Sequence, residues 1–273
     1  MSVYVRNILS EVKALYQRTA SKLSKQRFLF EELVKRDFKQ KYKRTVLGMW
    51  WSVLSPLLQL LVMALVFTQF FGRTTPHYLV YIFAGNVVFS YYREATSGGM
   101  QALMNNASIF TKVNVPKYLF LLSKNVSALM NFGLSLCIFF VFVIIDRVPF
   151  SFSFLMIFYP IFCLMLFNIG IGLILSALFV FFRDISYLYD IFTMLLTYVS
   201  AIFYTIDNFP PVVQRLFLCN PVYCYIKYVR IIIIDGTVPS FQYHLLCALY
   251  ALVAVAIGGL IYKKENHKFL YYV

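Results

Sequence analysis

The sequence predicts an all-α membrane protein: six transmembrane helices, an N-terminal amphipathic helix at the interface, and two short re-entrant helices before the last span. Three observations predict it. Hydrophobic residues make up 61% of the 273 and charged residues only 13%, against about 25% charged in ordinary soluble domains. From Val46 to Phe71 there is no charge at all, which exceeds the roughly 20 apolar residues needed to cross a bilayer core. Just before that run stand Arg36, Lys39, Lys41, Lys43 and Arg44, the basic flank expected on the cytoplasmic side, with Trp50 and Trp51 at headgroup level.

The elements follow in order. Region 1–46 is cytoplasmic and amphipathic. In 1–25, Val5, Ile8, Leu9, Val12, Leu15 and Tyr16 recur at helical spacing between basic residues, which predicts a surface helix. In 27–45, Phe30, Leu33, Val34, Phe38 and Tyr42 form one apolar stripe, the pattern of a helix lying in the interface plane. The transmembrane region, 47–262, opens with a span over 47–71, where Pro56 frees a backbone carbonyl and is expected to bend the helix. The second span, 78–103, is interrupted by Arg93 and Glu94, an adjacent opposite pair expected to face protein or water. A connector over 104–118 leads to span three at 119–145 and span four at 153–182, where Gly170, Gly172, Ser176 and Ala177 offer a close-packing face.

Span five is expected over 187–206. The stretch 207–235 holds two apolar pieces around Cys219-Asn220-Pro221, each too short to cross, and so reads as two re-entrant half-helices. Span six, 241–262, ends at Lys263 and Lys264, which open a cytoplasmic tail over 263–273. With both termini in the cytoplasm, 19 of the 25 Lys and Arg residues fall on that side, as the positive-inside bias requires.

The net charge of +14 points to anionic membrane lipids and not to nucleic acid, because the basic residues gather ahead of the first span. The five cysteines form no C-x-x-C pair. Cys219 and Cys224 are placed where a disulfide is allowed, although free cysteines packed as small hydrophobes are the simpler expectation. His77, His244 and His267 are scattered, so no metal site is expected. The first 25 residues lack the continuous apolar segment of a signal peptide. No G-x-x-x-x-G-K-[ST] loop is present, so the chain does not hydrolyse ATP through a P-loop. Asp184 and Asp190 are the nearest pair of carboxylates and suit a cap or salt bridge better than acid–base work.

The run Arg36, Asp37, Lys39, Tyr42, Thr45, Leu47, Gly48, Trp51 and Pro56 resembles the opening of the membrane subunits of type-two ABC exporters, in particular those of O-antigen, teichoic acid and related surface polysaccharides. Further likeness lies in the loop from Asn106-Ala107 through Lys112-Val113 to Pro116, in Phe182-Arg183-Asp184, in Phe203-Tyr204 and in Asn220-Pro221. The resemblance implies a non-enzymatic permease in the bacterial cytoplasmic membrane. It would form a homodimer with two separate ATP-binding-cassette subunits, which alone bind ATP and Mg, and would export a polyprenyl-diphosphate-linked glycan.

The resemblance also implies roles for particular residues. Asn106, Phe110, Lys112, Val113 and Pro116 would couple the permease to its ATPase, a helix-in-groove contact. Leu47 and Gly48 would flank the lateral entry for substrate. Beside them Arg36, Lys39, Lys41 and Arg44 would either hold the diphosphate headgroup or simply orient the first span. A path between the two permeases, walled by spans one and five, would carry Phe67, Phe70, Phe71, Tyr198, Phe203 and Tyr204. These rings suit sliding past sugar faces, although packing against core or lipid is the simpler expectation for each. The rival readings are an exporter of a drug or small lipid, a membrane-embedded glycosyl or lipid transferase, and an ion-driven carrier.

Overall fold

The computed structural model describes residues 26–39, 41, 45–71, 76–113 and 115–272; the helix expected over 1–25 lies outside them. All regular structure among the described residues is helical. Helix α1 covers residues 26–39. After the turn at Thr45–Gly48 and a short 3-10 segment come α2 (Trp51–Phe71), α3 (Tyr78–Asn105), the single turn α4 (Ala107–Phe110) and α5 (Tyr118–Ile145). Next are a 3-10 segment, Phe152–Ile157, and then α6 (Phe158–Phe181) and α7 (Ile185–Val199). The chain finishes with α8 (Pro211–Phe217), α9 (Pro221–Ile233), α10 (Phe241–Glu265) and α11 (Phe269–Tyr272).

Two sets of contacts define the ends of the bundle. At one end Arg36 bonds Asn106 at 2.7 Å and Lys117 bonds the carbonyl of Asn266 at 2.7 Å, gathering α1, α4, the start of α5 and the tail. At the other, His77 meets Asp146 at 2.8 Å, the Tyr78 hydroxyl donates to Phe203 O at 2.7 Å, and the rings of Phe67 and Phe203 stack 4.6 Å apart. Helices α2, α3, α5, α6, α7 and α10 therefore run between one basic end and one opposite end.

Close packing replaces solvent exclusion as the force that holds such a bundle, and small residues permit it. A Cβ on Gly170 of α6 would lie 2.3 Å from the backbone carbon of Ala254 in α10, and one on Gly258 would lie 2.3 Å from Gly170 O. The two backbones touch at this crossing, and Cys247, Ala251 and Ala254 line the buried face of α10. Large apolar side chains instead point outward: Leu245, Leu249, Leu252 and Leu260 on α10, and Leu61, Val62 and Leu65 on α2, are all exposed.

By length and composition, α5, the run Phe152–Phe181 and α10 can each cross a membrane, and α8 with α9 makes a fourth if that pair, bent by 104°, counts as one span. The apolar part of α2, Trp51–Phe67, and α7 are shorter. The expected fifth span over 187–206 stops at Val199, because the chain turns at Ala201, whose φ of 48° lies in the left-handed region. The break between α8 and α9 has a local cause. Asn220 Oδ1 accepts from the amides of Val222 at 3.0 Å and Tyr223 at 3.4 Å, and Pro221 occupies the first helical position. Cys219 and Cys224 are free thiols, and Cys224 Sγ donates to Leu218 O.

Candidate functional site

Within the apolar bundle lies a cavity of about 1220 Å³, walled by α2, α3, α5 and α7 with Lys41 and Thr45 beside them. Its lining mixes apolar side chains, Trp51, Met63, Phe83, Val87, Phe89 and Phe132 among them, with polar ones that recur at helical spacing. Helix α3 contributes Asn86, Ser90, Arg93, Glu94, Ser97 and Gln101; α2 contributes Ser52, Ser55 and Gln59; α7 contributes Asp190, Thr193 and Thr197; and α5 contributes Asn131 and Ser135. Residues spaced three and four apart share one helix face, so each helix turns one polar stripe toward the same space. Glu94 anchors the arrangement: Lys41 Nζ approaches its Oε1 at 2.8 Å and Asn131 Nδ2 donates to the same oxygen at 2.6 Å. Composition and hydropathy hid these stripes, yet their period was present within the apolar runs.

The basic end is built around a buried carboxylate. Asp37, its side chain 1% exposed, takes Arg36 at 2.8 Å and Lys124 at 3.1 Å on Oδ1 and Ser123 Oγ at 3.0 Å on Oδ2. Arg36 also donates to Asn106, and Asn106 Nδ2 returns to Ala102 O at 2.7 Å. Helix α1 is thus tied to the end of α3 and the start of α5. Of the residues assigned to headgroup or entry, Arg36 lies in this cluster, Lys41 reaches the cavity, Lys39 and Leu47 are exposed, and Gly48 makes the turn into α2. Arg44 is outside the described residues. In the sequence Asp37 looked like one charge in a charged neighbourhood, whereas Arg93 and Glu94 stood out as a pair inside an apolar run, with no sign that Glu94 meets Lys41 and Asn131.

The loop 104–118 divides into an inward and an outward part. Asn106 and Phe110 are buried, Lys112 and Val113 are exposed, and Pro116 is half-buried. Lys117 sits 5.7 Å from the Phe110 ring centroid and 5.5 Å from that of Phe269, and burial pulls its ammonium below the usual lysine value. Phe269 is itself fully buried against Phe181 and Tyr262. The tail therefore braces the loop from behind, a contact that the sequence did not reveal.

At the opposite end, Phe67, Tyr198 and Phe203 form one ring cluster, and the hydroxyls of Tyr81 and Tyr204 donate to Tyr204 O and Tyr198 O. The side chains of Phe70 and Phe71 are outside the described residues. Behind the turn, Arg230 of α9 is buried, lies 3.5 Å from the Tyr81 ring centroid, and donates to the carbonyls of Tyr81, Ala201 and Ile202. Such stapling of carbonyls by a guanidinium uses the planar fork that only arginine has. Among the described residues no group of His, Cys, Asp and Glu could hold a metal ion.

Residues 29–234 match the family model described as "ABC-2 type transporter". The chain is 25% identical over 247 residues to a protein of Klebsiella pneumoniae named "O-antigen export system permease protein RfbA", covering 89% of this chain and 95% of that one. A protein of the same name from Myxococcus xanthus is 24% identical over 257 residues, covering 92% of this chain and 98% of the relative. With three quarters of its length, including α2, α3 and the cavity they wall, inside the matched region, this chain belongs to the ABC-2 type transporter family.

Proposed function

We propose that the chain is the permease subunit of an ATP-driven exporter that moves a lipid-linked polysaccharide across the bacterial cytoplasmic membrane. The observation that carries the reading is the cavity: four helices in a mostly apolar bundle turn hydroxyl, amide and charged groups onto one space of about 1220 Å³. Polar groups facing inward are costly in a membrane and mark a substrate path, and the volume exceeds the range of about 300–1,000 Å³ typical of small-molecule sites. In this reading α2, α3, α5, α6, α7 and α10 are six spans, α8 and α9 are re-entrant helices on the outer side, and the basic end faces the cytoplasm. Two copies work with two ATP-binding-cassette subunits, which supply ATP and Mg. The names of the relatives support a surface polysaccharide as cargo.

The coupling surface is the exposed turn at Lys112 and Val113, held rigid by Phe110 and Asn106 behind it and by Pro116 beside it. A diphosphate headgroup enters past Lys39, Lys41 and Gly48, and the glycan leaves past Phe67, Tyr198, Phe203 and Tyr204. The test uses the permease purified with its ATPase partner in proteoliposomes. Lys112→Glu and Pro116→Ala lower export and substrate-stimulated ATP hydrolysis while the protein still inserts and dimerises; normal export by both variants overturns the coupling assignment. ATP hydrolysis that no lipid-linked glycan stimulates in the unmodified complex overturns the function.

A further inference from the structure

The basic segment after Lys35 touches α3 at two levels. Arg36 meets Asn106 just past the end of that helix, and Lys41 meets Glu94, about three turns back along it. The segment therefore slopes from the basic end into the mouth of the cavity, where Lys41 and Glu94 are both wall residues. The two partners of Glu94 Oε1 are held unequally. Asn131 donates to it at 2.6 Å and is buried. Lys41 stands 2.8 Å away, with 44% of its own side chain and 37% of that of Glu94 exposed. An ion pair this wet contributes little to stability, whereas an amide sheltered from water keeps its acceptor. The carboxylate is thus fixed to α5, and the ammonium is the movable member, a point charge on a flexible four-carbon stem.

We propose that Glu94 stands in for the phosphate of the cargo: it keeps Lys41 at the mouth of the cavity until an arriving diphosphate takes the ammonium over. The proposal rests on the export reading and adds the residue that competes with the lipid head. A diphosphate carries more than the single charge of a carboxylate and accepts charge-assisted hydrogen bonds on several oxygens, so it displaces Glu94. The phosphate of a zwitterionic bilayer lipid brings its own ammonium and does not. Glu94 stays bonded to Asn131 through the exchange, and the pair with Lys41 forms again once the head has moved on. Removing the competitor therefore tightens binding, a direction opposite to what loss of a merely structural contact gives.

The probe is a polyprenyl diphosphate bearing a short chain of neutral hexoses, added to the permease–ATPase complex in proteoliposomes. The reading is the concentration that half-stimulates ATP hydrolysis. Glu94→Gln is expected to lower it about two- to fivefold, the range a half-exposed ion pair commands. Lys41→Met raises it, and in that background Glu94→Gln no longer lowers it, because the two side chains act through one contact. Glu94→Asp, whose carboxylate is drawn back by one methylene, gives a smaller shift of the same sign and carries the test if the Gln variant fails to assemble. An unchanged or raised concentration for the assembled Glu94 variant overturns the proposal. So does a gain that survives Lys41→Met in greater part, which would mean that Glu94 repels the head directly. Both outcomes leave the export reading standing. No stimulation of the unmodified complex, with an active ATPase, removes that reading and the proposal with it.

Discussion

Asp37→Ala should undock α1 from the bundle, and the structure sets the size of the effect. The carboxylate, 1% exposed, is shared by Arg36, Lys124 and Ser123. Removing one partner of a buried ion pair costs about 3–5 kcal/mol. Arg36, however, is 40% exposed, so water screens most of its part. What remains is carried by Lys124, 22% exposed, and by the bond to Ser123, about 2–3 kcal/mol in all. That corresponds to an increase of about 30- to 150-fold in the undocked population. Trypsin reads it directly, because Lys35, Arg36 and Lys39 lie on α1 and cleavage tracks the open population when reclosing is fast. Asp37→Asn keeps an acceptor for Ser123 and falls between the two. Cleavage of the Ala variant within threefold of the unmodified protein would show that the cluster does not dock α1.

Three further outcomes are expected. Gly170→Leu drives a side chain into the Ala254 backbone and lowers the melting temperature in detergent, whereas Gly259→Ala, with nothing within 4 Å of the new Cβ, leaves it unchanged or raises it by the helix propensity gained. Arg230→Leu strands the carbonyls of Tyr81, Ala201 and Ile202 at about 1–3 kcal/mol each; lower thermal stability and faster thiol labelling of a cysteine placed at Phe203 report it, and Arg230→Lys recovers only part. Phe269→Ala removes the support behind Lys117 and lowers ATPase coupling without affecting insertion, as measured by hydrolysis in the reconstituted complex beside membrane fractionation.

The helical fold was legible in part because α5, the run Phe152–Phe181 and α10 advertise themselves by apolar length, and the basic residues cluster ahead of the first apolar run. Gly170 was expected in a packing face, and it does touch α10. The end of α7 was misjudged by seven residues, since Ser200 to Ile206 are as apolar as the helix before them and the turn is held by bonds from residues distant in sequence, Tyr78, Tyr81, Asn220 and Arg230. The cavity went unread for a related reason. Averages of hydropathy discard phase, and the stripe from Asn86 to Gln101 is a matter of phase. Glu94 with Lys41, and Lys117 with Phe269, are pairs far apart in the chain, and nothing local in either partner names the other.

Helix α7 has 15 residues, so it rises about 22 Å, while a hydrocarbon core is about 30 Å thick. In the six-span reading proposed above, lipid beside it thins to meet its ends, at a cost of a fraction of a kcal/mol for each ångström of mismatch. Because α7 is one of the walls of the cavity, the deformed annulus of that reading lies beside the path proposed for the cargo, and the barrier there is shorter than elsewhere in the same membrane. In the proposed dimer, two such flanks brought together would share a single dimple in place of two, and the elasticity of the bilayer would itself draw them into register.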